Sequence, residues 1–373
     1  MTTLQQDYPW LTSPAIICAP MRAIALPPLA VAVSAAGGLG LIGAGSDLSN
    51  LETWLSETTD LIAAHHPHLQ QRYTRTGVLP VGFGIFNWAA ESEIELAVQA
   101  ARKWKVSVVW LYGAHGNGEY AKWAARFRDA GARVWVQVGS VADAVEVVGL
   151  CGRDLDVLVV QGTDAGGHGL AAGAGVVALL PEVRDALEQR GDAGHVKVIA
   201  AGGIMDGRGV AAALALGADA VCLGTRFLAS HEATITAGYR DEVVRASDGG
   251  VTTARTKVYD RLRGTTLWPE RYNGRGVLNQ SYHDHEKGVA FEENKRMYDE
   301  AMKVGDAGWG LAGRITTYAG TGVGLVKQVM GAAEIVREVQ SQARAVLKNV
   351  ARDYVNTESG YETDQPSAAQ TKL

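Results

Sequence analysis

The residues best suited to chemistry lie in the stretch VLVVQGTDAGGHGL, residues 157–170. Val157, Leu158, Val159 and Val160 form an apolar run suited to a strand buried on both faces. The run breaks at Gln161-Gly162, and a loop of small residues follows with one histidine, His168, behind Gly166-Gly167. An imidazole titrates near neutrality and acts as a general acid or base when held against a reacting group. A lone histidine is by default structural or solvated. This one follows the carboxyl end of a buried strand, in a loop too small to pack it as core, so a catalytic role is expected. Asp164, four residues earlier, either orients that ring or caps the loop.

Two further loops suggest an anion. Gly202-Gly203 follows the strand VKVIAA, and Leu223-Gly224-Thr225-Arg226 follows ADAVC. Glycines at such places let backbone N–H groups approach phosphate oxygens, although ordinary strand-to-helix turns use them too. Gln137 and Gln161 end otherwise apolar strands and must find partners, either a ligand heteroatom at the sheet edge or a backbone group. Gly38-x-Gly40-x-x-Gly43 matches the dinucleotide fingerprint only in letters, because its glycines lead into and lie within a strand. No metal is expected. His65-His66-Pro67-His68 lacks a carboxylate or thiol at ligand spacing, and the alternation in His283-Asp284-His285-Glu286 sends its imidazoles apart on a helix.

The elements that position these residues alternate. Strands are expected at 15–19, 39–44, 78–86, 106–112, 133–138, 156–161, 196–201 and 219–223. Helices are expected at 27–36, 51–64, 94–104, 119–130, 141–148, 176–190 and 210–216. Near-continuous apolar strands separated by helices imply a parallel sheet, and eight of them imply an α/β fold, the (β/α)8 TIM barrel. From 231 the chain turns more charged and aromatic, which suggests a small, mainly helical insertion after strand eight. The expected division is a ligand-binding barrel over 1–230, an insertion on the substrate side over 231–315, a closing segment over 316–355 with an amphipathic helix at 322–351, and a polar, disordered tail over 356–373.

Composition limits the partners. Of 373 residues, 47% are hydrophobic and 20% charged, which suits a globular chain. The net charge of −5, without a Lys/Arg run, argues against nucleic acid. Residues 23–45 carry no charge, but Pro27-Pro28 and Gly37-Gly38 cut them, so no membrane span is expected. Three cysteines in apolar runs read as reduced core thiols and a cytoplasmic protein. The terminal Thr371-Lys372-Leu373, one residue from a peroxisomal address, keeps that compartment as the alternative.

Several stretches together resemble the nitronate monooxygenase family, formerly 2-nitropropane dioxygenases, in its fungal-type branch that does not use a reduced nicotinamide. They are ICAPM (17–21), AAGGLGLIGAGSD (35–47), VWVQVGSVADA (134–144), VVQGTDAGGHG (159–169), AAGGIMDGRGVAAALALGADAVCLGTRF (200–227), NGRGVLN (273–279), FEEN (291–294) and GTGVGLV (320–326). The resemblance implies FMN in the barrel. Pro20 and Met21 would line its ring system, with Gln137 and Gln161 at the polar edge. Ala201, Gly202 and Gly203 with Leu223, Gly224 and Thr225 would hold the phosphate. His168, beside Gly167, falls on the family's catalytic histidine. Two departures stand out: Val81-Gly82-Phe83-Gly84, where many bacterial relatives carry an asparagine, and Tyr318-Ala319-Gly320-Thr321, where relatives have Trp-Ser-Gly-Thr. The implied reaction is oxidation of alkyl nitronates, with neutral nitroalkanes a further option, by O2 to a carbonyl compound and nitrite; a homodimer is the assembly to test. The alternatives are an NAD(P)H-dependent quinone or enoyl reductase on the same barrel, and a barrel that binds a phosphorylated ligand without redox chemistry.

Overall fold

The computed structural model describes residues 3–355. The expected tail over 356–373, with its terminal tripeptide, lies outside them. Strands β1 (Ile16–Cys18), β2 (Leu41–Gly45), β3 (Gly82–Phe86), β4 (Val108–Tyr112), β5 (Arg133–Val138), β6 (Val157–Gln161), β7 (Gly167–Leu170), β8 (Lys197–Ala201) and β9 (Ala220–Leu223) run through the first part of the chain. All but β7 join in one parallel sheet ordered β1-β9-β8-β6-β5-β4-β3-β2. A parallel bridge between Ile17 and Leu39 brings its two edges together, so the sheet closes into the expected (β/α)8 barrel.

The parity of each strand decides which residues reach the interior. Val157 and Val159 of β6 join Ile17, Leu39, Val108, Trp110, Trp135, Ile199 and Cys222 inside the barrel. Leu158 and Val160 face the other way, into the layer between strands and helices. This two-sided burial is why β6 is apolar at consecutive positions. The N-terminal helix Thr3–Asp7 brings Tyr8 beneath the barrel, where the buried Trp135 donates Nε1–H to the Tyr8 hydroxyl at 2.9 Å.

Beyond the barrel, β10 (Thr253–Thr256) and β11 (Tyr272–Val277) interrupt the expected helical insertion. They form an antiparallel sheet ordered β10-β11-β7, so the insertion pairs directly with the segment after β6. The closing helix begins at Ala332, ten residues beyond the expected start at 322. The glycines of 321–325 take a 3₁₀ turn instead, and Glu334 accepts the Gly331 N–H at 3.1 Å to start the helix. A further helix, Pro67–Thr76, follows the first Leu51–His65 helix, with Pro67 in its first turn. Among the described residues no helix is long and apolar enough to cross a membrane, and no cluster of three or more His, Cys, Asp or Glu could hold a metal.

Candidate active site

The candidate residues all follow or end barrel strands and therefore share the C-terminal mouth. The inward-facing rows end there in Phe86, Tyr112, Gln137, Gln161 and Ala201, at the last or next-to-last positions of β3, β4, β5, β6 and β8. Gln137 Oε1 accepts from Trp110 Nε1 at 3.1 Å, while its buried Nε2 has no partner among the described residues. Gln161 Nε2 instead donates to the His168 carbonyl at 3.2 Å, the backbone alternative. Both glutamines line a cavity with Tyr112, Tyr120, Leu170 and Tyr272. The Tyr112 hydroxyl is buried without a partner among the described residues, and burial, reinforced by Tyr272, pushes its pKa well above 10. It is therefore a neutral donor at physiological pH.

A second group surrounds the glycine loops. Gly202 (φ 102°) and Gly203 (φ 77°) take left-handed conformations after β8. Neighbouring β9 ends at Leu223, followed by Gly224 and Thr225. No acceptor among the described residues meets the N–H of Gly202, Gly203 or Gly224. Thr225 is engaged, its hydroxyl accepting the Gly320 N–H at 3.0 Å. A side chain at Gly224 would meet Met21 Sδ at 3.9 Å, and one at Gly84 would strike Pro20 Cγ at 2.4 Å, so Pro20 and Met21 stand at the mouth on either side of β1.

His168 lies on β7, where a loop was expected. Its register partner is Gly274 of β11, which lies 106 residues further along the chain. Its Nε2 faces Asp260 Oδ1 at 2.8 Å. That oxygen also accepts from Thr265 Oγ1 at 2.9 Å and from the Tyr318 hydroxyl at 3.0 Å. The Trp268 indole lies flat against the imidazole, centroids 4.0 Å apart and planes 9° from parallel. Trp268 reaches across to Phe86 and Tyr112, so the insertion covers the ends of β3 and β4 as well as the histidine. The side chains that surround His168 come from the insertion and the segment after it, and sequence reasoning had not assigned them roles at the site.

Asp164, one of two readings left open, caps its loop. Its Oδ1 accepts from Thr321 Oγ1 at 2.9 Å and its carbonyl from the Thr321 N–H at 3.0 Å. The loop is also gripped by two arginines. Arg255 donates to the carbonyls of Thr163, Ala165 and Asn273, and Arg275 to that of Thr163. Burial, aided by the like charge of Arg275, lowers Arg255 to about 10. Both stay protonated at neutral pH, and neither forms an ion pair among the described residues.

A closed parallel barrel with a histidine, orphaned donors and glycine loops at its C-terminal mouth defines a (β/α)8-barrel enzyme. The family model for nitronate monooxygenase matches residues 9–342, so the chain belongs to the nitronate monooxygenase family. It is 47% identical over 351 residues to the nitronate monooxygenase npaC of Metarhizium robertsii, covering 93% of this chain and 96% of that protein. It is 36% identical to a nitronate monooxygenase of Neurospora crassa, over 94% of each chain. Among solved structures it resembles FabK from Thermotoga maritima, with a TM-score of 0.71 and 26% identity over 94% of this chain and 99% of that one.

Proposed function

We propose that this chain oxidises alkyl nitronates with O2 and FMN, two nitronates and one O2 giving two carbonyl compounds and two nitrites. The observation that carries the reading is the place of His168 at the barrel mouth, within a chain that the family model matches from 9 to 342. Where the substrate arrives as a neutral nitroalkane, His168 takes the proton from the carbon beside the nitro group. That C–H is acidic because the anion spreads onto the nitro oxygens, but it ionises slowly without a placed base.

The residues at the mouth fit FMN. The orphaned Gln137 Nε2 suits a heteroatom of the ring system, and Gly167, next to His168, has open space where a side chain would stand. The N–H groups of Gly202, Gly203 and Gly224, unmet by the protein, suit the phosphate, with Ala201, Leu223 and Thr225 shaping the cradle and Pro20 and Met21 against the ring. Bound FMN would supply the one-electron exchange between nitronate and O2. The chain's own part is to orient, to exclude water and to attract the anion. Arg255 and Arg275, which form no ion pair among the described residues although Asp164 lies close enough to act on both, put positive charge beside the mouth of a chain whose net charge is −5, which favours an anionic nitronate there.

The test is nitrite release from ethylnitronate and propionate 3-nitronate under air, with the visible spectrum recorded alongside. A yellow protein that releases nitrite is expected. A colourless protein after incubation with FMN, or rapid bleaching by NADH without air and no nitrite, overturns the reading.

A further inference from the structure

The carboxylate beside His168 has no assigned role. Asp260 comes from the insertion, in the helix Val258–Arg263, and is 5% exposed. One of its oxygens takes three contacts, from His168 Nε2, Thr265 Oγ1 and the Tyr318 hydroxyl. Tyr318 remains a neutral donor, because burial foremost, and Asp260 next, push its pKa well above 10. A carboxylate only accepts, so the imidazole nitrogen facing it must carry a hydrogen. In the neutral imidazole, the form able to accept a proton, that leaves Nδ1 with the lone pair, and Nδ1 has no hydrogen-bond partner among the described residues. Trp268 against one face of the ring and Tyr318 at 5.4 Å limit its rotation.

We propose that Asp260, assisted by Tyr318, holds His168 as its Nε2–H tautomer, which makes Nδ1 the atom that deprotonates a neutral nitroalkane. This rests on the proposed function for its substrate but not for its tautomer. In the step, the C–H bond breaks, its electron pair spreads onto the nitro oxygens, and the proton bonds to Nδ1. The imidazolium so formed keeps Nε2–H on the Asp260 carboxylate, which lies opposite the new charge. Asp260 is thus a positioning residue, and the insertion that carries it completes the site. A nitronate supplied already ionised needs no such base. The device therefore equips the chain for neutral nitroalkanes as well.

Nitrogen NMR of the flavin-loaded enzyme labelled in its histidines, with His168→Asn to assign the signal, reads the tautomer without turnover. A protonated Nε2 and an unprotonated Nδ1 are expected; the reverse overturns the proposal even if Asp260 variants do not fold. In folded, yellow Asp260→Asn, turnover of nitroethane should fall by about a hundredfold or more, the scale of a lost or wrongly held base. Loss on ethylnitronate should be at least about tenfold smaller, because general-base catalysis is the contribution removed. Tyr318→Phe should show the same split in weaker form. Equal losses on both substrates, or none on either, overturn the proposal. Wild-type enzyme that releases no nitrite from ethylnitronate contradicts the proposed function instead, and the NMR result still decides the tautomer.

Discussion

Replacing Trp268 with alanine tests whether the insertion is packed onto the barrel as one body with the site. The indole stacks on His168 and touches Phe86, Trp88, Tyr112 and Tyr272, with ring centroids between 4.0 and 6.0 Å. Truncating a buried tryptophan costs about 3–5 kcal/mol, and the partial exposure of Trp268 puts the expectation at the lower end, about 3 kcal/mol. Unfolding entropy near 60 °C is about 2.1 cal/mol/K per residue, so this chain's total is about 0.8 kcal/mol/K. The melting temperature should therefore drop by about 4 °C, and Trp268→Phe should recover part of it. Calorimetry or circular dichroism on the flavin-loaded protein reads the shift. A drop below about 1 °C would mean the aromatic contacts contribute under about 0.8 kcal/mol, which refutes a packed clamp.

Other consequences can be checked separately. Burial works to raise Asp143, but hydrogen bonds from Asn117, Arg271 and Ser140 outweigh it and hold the carboxyl below its usual range. A lowered folded pKa contributes stability that is full above the unfolded value, about 3.9, and is lost as pH falls through the folded one. Asp143→Asn should thus cost about 2 kcal/mol at pH 7 and flatten the acid limb of the stability curve, read by urea unfolding between pH 7 and 3. Cys18, Cys151 and Cys222 are buried, and burial foremost, with Asp154 adding to it, pushes Cys151 up to about 12. A thiol reagent should leave all three unmodified in the native protein and react with three after unfolding. A methyl group at Gly166 would lie 2.4 Å from the Ala319 carbonyl carbon. Gly166→Ala should displace the start of β7 and lower nitroethane turnover at least about tenfold, since displacing a positioned catalytic group by about 1 Å can cost about a hundredfold.

The barrel was legible because a strand buried on both faces must be apolar throughout, and β4, β5 and β6 carry that signature locally. The mouth was only half legible. Gly167–Leu170 reads as a loop because glycine favours turns, and its strand character comes from pairing with Tyr272–Val277, far along the chain. Asp260, in a short helix 92 residues from His168, has no local signal of its role; only the fold brings the two within 2.8 Å. In the sequence Tyr318 stands out only as a departure from the family pattern, and only the fold brings its hydroxyl to Asp260. The helix Pro67–Thr76 did carry a signal in Pro67. With Leu69 its one buried residue, however, it offers almost no apolar periodicity.

The central claim is that the imidazole of His168 is the proton acceptor at the mouth of a flavin-bearing barrel. It is tested most directly by nitrite release from His168→Asn with matched neutral and ionised substrates, nitroethane and ethylnitronate, in yellow protein of wild-type flavin content. Nitroethane turnover should collapse by about a hundredfold or more while ethylnitronate turnover falls far less, because only the first substrate has a proton to lose. Equal losses on the two would contradict it.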